Sequence, residues 1–183
     1  MPHPRAPFTE RPTRGRLIGR LLKRPRPVDA FIEVNNLFAR AVNVRAVTAV
    51  DIDAIFERHA ISWDTAPAAA RHAIYRDYLY YCLADRHLTA DELADLDHIR
   101  TLLRLESDAV DLVHRRVTRK VYSRSVDVVL ADATVDEDER RFLAQLRANL
   151  QIPDHVAENI LEVKQRQRTR REAAARERDR RRG

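Results

Sequence analysis

The sequence predicts an all-α protein, a compact bundle of about seven or eight helices, and three observations carry that prediction. Tyr75, Leu83-Ala84-Asp85, Asp91-Glu92, Leu96, Arg100 and Leu103 return forty-seven residues later as Tyr122, Leu130-Ala131-Asp132, Asp138-Glu139, Leu143, Arg147 and Leu150. A period of that size marks a duplicated supersecondary unit, here a tandem helix-loop-helix repeat over residues 75–113 and 122–160. Between the matched positions the apolar residues fall three and four apart, the spacing of a helix with one buried face. Residues 28–163 contain no glycine and only two prolines, Pro67 and Pro153, both where a helix would start.

The elements follow in order. Phe31, Val34, Leu37 and Phe38 make a first helical stripe ending near Val42. Thr48 with Asp51 forms a capping arrangement ahead of Ile52, Ile55 and Phe56. Asp64 or Thr65 is placed to cap a helix that carries Pro67 in its first turn and runs through Tyr75, Tyr78 and Leu79 to Ala84. Thr89-Ala90-Asp91-Glu92 is a capping box opening the next helix, and a further one starts near Asp108. The second copy repeats the plan. Val121–Leu130 has the valines of a strand, but its match to the first copy makes it a helix. Asp136 with Glu139 caps the next helix, and Pro153 starts the last, through Val156, Ile160 and Val163.

The net charge of +6 conceals an asymmetry. Residues 1–27 hold eight basic residues and one acid, and residues 164–183 hold ten basic and three acidic. Each end is therefore +7, which leaves −8 for residues 28–163. Three regions result: a basic Pro/Arg-rich arm (1–27), an acidic helical domain (28–163) and an Arg-rich helical tail (164–183). Cys82 is the only cysteine, so no internal disulfide forms, and its apolar setting reads as a buried structural thiol. Phosphate-cradling loops, dinucleotide fingerprints and nucleophile elbows all need glycine; the only glycines are Gly15, Gly19 and Gly183, which excludes these motifs from the body. No Glu-x-x-His pair and no His-Glu-x-x-His motif is present. The expectation is a protein that is not an enzyme, with no small-molecule substrate.

Each copy places acids at one corner: Asp85, Asp91 and Glu92 in the first, Asp132, Asp136, Glu137, Asp138 and Glu139 in the second. Carboxylates there cap helix N-termini. A looser reading is a divalent-cation site, the one cofactor considered, formed by Asp132, Asp136, Asp138 and Glu139 with Asp85 and Glu92 as the first-copy counterparts. A calcium-binding EF-hand is excluded, because its glycine position holds Glu137 and its final ligand position Leu143. Asp91, Asp95 and His98 share a helical face, which reads as solvated polar surface.

The two arms carry the partner signals. Leu17, Ile18, Leu21 and Leu22 lie on one face of a short helix, opposed by Arg14, Arg16, Arg20, Lys23 and Arg24. Such a piece suits an anionic membrane surface or an acidic partner. In the tail, Arg166, Arg168, Arg170, Arg171, Arg176 and Arg178 continue a helix-forming composition after the apolar stripe stops. That describes a solvated helical projection or an arm bound to nucleic acid or acidic protein.

At its corners the chain resembles the TerB-like family of bacterial tellurite-resistance and stress proteins, with their pattern Leu-Ala-Asp-Gly-x-Ile/Leu-Thr/Ser-x-x-Glu. Leu83–Glu92 is similar to one instance and Leu130–Glu139 to the other, over about residues 70–163, with Arg86 and Ala133 in place of the glycine. A similar repeated helical pattern occurs in the stromal part of a large chloroplast inner-envelope import component. Residues 28–69 match neither. The TerB resemblance implies a bacterial, cytoplasmic scaffold or adaptor, peripheral at the inner membrane and holding protein partners in a stress-response assembly. The alternatives are a nucleic-acid- or ribonucleoprotein-associated subunit anchored by its basic ends, and a divalent-cation sensor.

Overall fold

A computed structural model describes residues 7–12, 27–86, 88–132 and 135–181. These residues hold seven α-helices and no strand: α1 (Pro27–Arg40), α2 (Ala49–Arg58), α3 (Ala68–Cys82), α4 (Ala90–Leu102), α5 (Ser107–Val129), α6 (Glu137–Asn149) and α7 (Asp154–Arg180). Short 3-10 turns stand at Val44–Ala46, Leu83–Asp85 and Leu130–Asp132. The protein is all-α, as its spacing predicts.

The forty-seven-residue register is kept at several landmarks. The two Leu-Ala-Asp triplets are 3-10 turns, α4 and α6 are each thirteen residues long, and α5 and α7 start at equivalent positions. The chain divides into two compact units, Met1–His114 and Arg115–Gly183, and the second begins forty-seven residues after the start of α3. Helix α5 is thus the third helix of one copy and the first of the next. The sequence suggests separate helices near 108–117 and 121–130, but α5 runs unbroken. No glycine or proline interrupts it, and Arg115, Arg116, Arg119 and Lys120 are good helix formers that remain exposed. Its β-branched residues are accommodated because Val117, Val126 and Val129 are buried.

Residues 27–67 have the same order of events in a shorter form. A helix leads to a 3-10 turn, then to a helix with a capping box, Thr48 with Asp51, and then to a left-handed residue, Ala60. The two later copies use Thr89 with Glu92 and Arg104, and Asp136 with Glu139 and Gln151. In all three the residue after the left-handed one closes the helix. Ile61 N–H donates to Phe56 O (3.0 Å), Leu105 to Arg100 O (3.0 Å) and Ile152 to Arg147 O (3.1 Å). This six-to-one closure, with its buried apolar residue, is the Schellman motif. The kinship of residues 28–69 is invisible in residue identities because α2, at ten residues, is three shorter than α4 and α6.

Unit one is centred on Val34, Ile52, Leu79, Leu96, Ile99 and Leu103, all almost fully buried. Cys82 lies in this core with no exposed surface, and burial pushes its thiol pKa up. In unit two the buried set includes Val126, Leu143, Leu146, Leu150 and Ile152. Helix α3 opens with Pro67 at its cap position and no side-chain cap. Neither Asp64 nor Thr65 caps it; Thr65 is held in a turn with Ser62.

Candidate functional site

The acidic corners act first as caps. Thr89 Oγ1 accepts from Glu92 N–H, while Glu92 Oε2 accepts from Thr89 N–H (2.8 Å) and from its hydroxyl (2.9 Å). Asp136 Oδ1 accepts from Glu139 N–H (2.8 Å) and Glu139 Oε2 from Asp136 N–H (2.9 Å). Asp138 is exposed and pairs with Arg141, Asp85 is exposed, and Glu92 is buried. The side chain of Asp132 lies outside the described residues. Among the described residues no three carboxylate, histidine or cysteine groups converge to hold a metal.

The Asp91, Asp95 and His98 face is a docking surface rather than open polar surface. Arg45, presented by the Val44–Ala46 turn, donates to Asp95 Oδ1 (2.6 Å) and Asp91 Oδ1 (3.0 Å). Tyr78 OH donates to Asp95 Oδ2 (2.6 Å), and His98 Nε2 meets Val47 O at 2.9 Å. Residues 7–12 are likewise not a free arm. Phe8 is buried and stacks on Phe38 and Tyr78, with ring centroids 5.1 and 5.7 Å apart. Arg11 N–H donates to Asn36 Oδ1 (2.7 Å), and Glu10 takes Arg40 Nε (2.8 Å). The amphipathic stretch from Arg14 to Arg24 lies outside the described residues.

The tail is helical to Arg180 as the continuation of α7. Arg166 pairs with Glu162 and Arg168 with Glu172, each four residues apart. Arg170, Arg171, Arg176 and Arg178 are exposed. No apolar face accompanies them, so this stretch can attract anionic surfaces but not bury itself in one.

Unit two also holds a groove of about 630 Å³ between α6 and α7. Leu130, Val135, Leu143, Ala144, Ala157 and Leu161 supply its apolar lining, with Arg140, Arg147, Arg168, Asp154, Glu158 and Glu172 around them. Arg147 is paired with Asp154, and Arg168 Nε donates to Glu172 Oε1 at 2.6 Å. That bond holds the Glu172 carboxyl below its usual range. Burial pushes the Tyr122 phenol up, with Arg147 opposing. Arg168 Nη1 is buried without a hydrogen-bond partner among the described residues.

Single-sequence reading does not single out this groove, yet the register between copies contains its signal. Asp97 becomes Ala144, Val110 becomes Ala157 and His114 becomes Leu161. Each change removes bulk or polarity. In the first copy Arg100 is held by Asp97 (2.7 Å), and Tyr75 OH lies 2.6 Å from His114 Nε2. The second copy lacks both partners.

The sequence matches the family described as Tic110, chloroplast envelope transporter, over residues 60–181. The chain belongs to the Tic110 family. No curated protein and no solved structure matches it. The match spans both forty-seven-residue copies and most of the α7 extension, and it accords with protein partners in general.

This finding corrects several expectations. The TerB resemblance does not hold, and with it fall the tellurite-resistance and stress-response scaffold, the bacterial origin and the cytoplasmic location. The physical reason is that Leu-Ala-Asp followed by a capping box specifies a local corner. The leucine is buried (Leu83, Leu130), the turn is 3-10, and the acid seven residues after the aspartate satisfies the helix cap. Any helical repeat that needs such a corner can converge on it. The missing glycine was the discordant sign. Among the described residues no helix is long and apolar enough to cross a membrane.

Proposed function

We propose that this chain is a polypeptide-binding part of a transport assembly at the chloroplast envelope, working by holding a protein rather than by catalysis. The observation that carries this reading is the family match across residues 60–181, where both repeat copies lie. The groove of unit two supports it, because an apolar floor with a charged rim suits a polypeptide segment better than a small polar metabolite. Contact with the anionic face of a membrane falls to the basic stretches, Arg14 to Arg24 and the α7 extension. Without an apolar face, the α7 extension contributes electrostatics alone, worth about 1 kcal/mol per basic residue near the surface.

The test uses the full chain, tagged and expressed in plant cells. Chloroplasts are supplied with a precursor halted in transit by a tightly folded passenger domain, treated with a cross-linker and fractionated. The expected result is tagged chain in the envelope fraction with an adduct to the halted precursor. An adduct no stronger than that formed with the mature protein, lacking its targeting segment, overturns the reading.

A further inference from the structure

Residues 7–12 are held against α1 and α3 in the way a bound peptide is held. The two helices pack on each other, and the segment has no helix or strand of its own. Among the described residues no main-chain to main-chain hydrogen bond joins it to them. The side chains of Asn35 and Asn36 take that role, and both are buried. Asn36 Oδ1 accepts from Arg11 N–H (2.7 Å), its Nδ2 donates to Arg11 O (2.9 Å), and Asn35 Nδ2 donates to Thr9 O (2.8 Å). Residues two apart present the same side of an extended chain, so neighbouring amides can clamp its backbone at alternate positions. Asn36 and Arg40, four residues apart, share the side of α1 away from Phe31 and Val34. An asparagine on that side is ordinarily solvated; here the segment covers it.

We propose that this α1–α3 face is a peptide-binding site. Residues 7–12 fill it as a tethered ligand, and in their place it takes an extended segment of a protein partner. That segment carries an aromatic residue, an acid two positions later and a base at the next, as Phe8, Glu10 and Arg11 do. The inference rests on the polypeptide-binding reading above for the existence of a partner, and adds a second, self-occupied site to it. The partner's chemistry follows from the contacts. Phe8 is buried, its ring stacked on Phe38 and Tyr78, while Thr9, Glu10, Arg11 and Pro12 are exposed. Glu10 accepts from both Nε (2.8 Å) and Nη2 (3.2 Å) of Arg40, and Arg11 reaches Asp77 at 3.2 Å. Both ion pairs stand in solvent, so they choose among segments more than they hold one. The anchors are one ring and two clamps on the main chain. Fourteen residues, 13–26, connect the segment to α1. A connector of that length gives an effective concentration of about millimolar, against which an outside segment competes.

The experiment uses the full chain carrying Phe8→Ala, which frees the site. Glu10→Lys, which sets a lysine against Arg40 at an exposed position, serves where Phe8→Ala does not fold. Three end-capped, fluorescein-labelled peptides are titrated by anisotropy. The first has the sequence of residues 7–12. The second keeps the pattern with other residues, Tyr-Ser-Asp-Lys in place of Phe8 to Arg11. The third carries Arg11→Pro, which removes the N–H that Asn36 accepts. The first two should bind the freed chain saturably, about tenfold or more tighter than they bind the native chain. The proline peptide should bind about tenfold more weakly than the first. Asn36→Asp, added to the freed chain, loses the donor to Arg11 O and should weaken the first peptide to the same degree, with urea unfolding unchanged.

Equal binding to the native and freed chains overturns the proposal, as does binding that ignores both Arg11→Pro and Asn36→Asp. Absence of binding to both freed chains at millimolar peptide makes residues 7–12 a part of the fold alone and overturns it too. Binding of the first peptide without the second confines the site to this chain's own segment and overturns the partner. A native chain that sediments as a dimer, and as a monomer with Glu10→Lys, assigns the site to a second copy's residues 7–12, with the same result. Absence of peptide binding with the precursor adduct formed defeats the site alone. Absence of the adduct with peptide binding present defeats the transport reading alone.

Discussion

The three helix closures should each respond to glycine in a way the structure specifies. Ala60 (φ 53°), Arg104 (φ 49°) and Gln151 (φ 52°) occupy the left-handed position that normally goes to glycine in a Schellman motif. An L-residue there costs about 1–2 kcal/mol, while a new glycine adds about 0.4–1 kcal/mol of unfolded-chain entropy. Ala60→Gly removes only a methyl group from an exposed position, so the difference, roughly 0.5–1 kcal/mol, should appear as a gain in stability. Gln151→Gly should behave alike in unit two, since Gln151 is exposed and its backbone supplies the closure. Arg104→Gly should gain little. Its guanidinium carbon lies 4.3 Å from the Trp63 ring centroid, a contact worth about 0.5–1 kcal/mol at an exposed site. Urea unfolding followed by circular dichroism and by Trp63 fluorescence gives the three values. A rise of about 2–4 °C per kcal/mol in the thermal midpoint is the parallel readout. Destabilisation by both Ala60→Gly and Gln151→Gly would refute the strain argument, and an equal gain at all three sites would refute the role of Arg104.

Three further predictions follow from side chains that hold the elements in place. Phe8→Ala empties a buried site stacked on Phe38 and Tyr78 and should cost about 3 kcal/mol, with faster proteolysis before residue 27 as a second readout. Thr89→Ala and Asp136→Ala each remove a cap worth about 1 kcal/mol. The first should cost more, because it also strips a hydroxyl donor from the buried Glu92 carboxylate; equal losses in urea titrations would contradict this. Burial holds the His114 pKa below its ordinary 6.5, with Asp111 pulling the other way, and burial also lowers His72. Both therefore stabilise the fold as neutral groups above about pH 6.5, and that stability is lost as pH falls through their lowered folded values. His114→Leu, the residue found at the equivalent position 161, should flatten part of the loss and leave the remainder to His72. An unchanged slope of stability against pH would sink the assignment.

What could be read in advance depended on how locally each feature is determined. The capping boxes at Thr48, Thr89 and Asp136 are contacts between residues three apart, and all three form as the spacing predicts. The repeat was legible because both copies conserve the positions that build the corner. The continuity of α5 was not, since the match to the first copy set a helix at Val121–Leu130 apart from the one starting near Asp108, and a shared register does not say whether two helical stretches join. Asp91 is exposed, as a solvated face requires, but Asp95 and His98 were misread because their partners, Arg45 and Val47, lie about fifty residues away and only folding joins them. The groove was missed for a related reason: it is made by what side chains at positions 144, 157 and 161 no longer fill. The likeness to TerB proteins failed because it was carried by a corner whose chemistry is local, while family membership is distributed over residues 60–181.

A repeat built on shared helices also explains how α7 differs from α3 and α5. Each of α3 and α5 closes one set of helices and opens the next, so both of its halves acquire neighbours. Helix α7 closes the second copy with Ala157 and Ile160, and its later turns run on to Arg180. Their sequence turns polar, with Lys164, Gln165, Thr169 and Arg176 where α5 has Val117, Thr118, Tyr122 and Val129. Full conversion to a polar cap would have left no groove, yet Leu161 and Ala157 remain facing α6 across Ala144 and Leu143. The α7 face is therefore part polar and part apolar. Arg168 stands where the polar and apolar halves meet, paired with Glu172 and with its Nη1 buried without a partner among the described residues. Filling that position with an apolar residue, as Arg168→Leu, should remove the unsatisfied donor and stabilise unit two in urea unfolding. A variant that loses stability would instead make Arg168 a structural residue, held by its pair with Glu172.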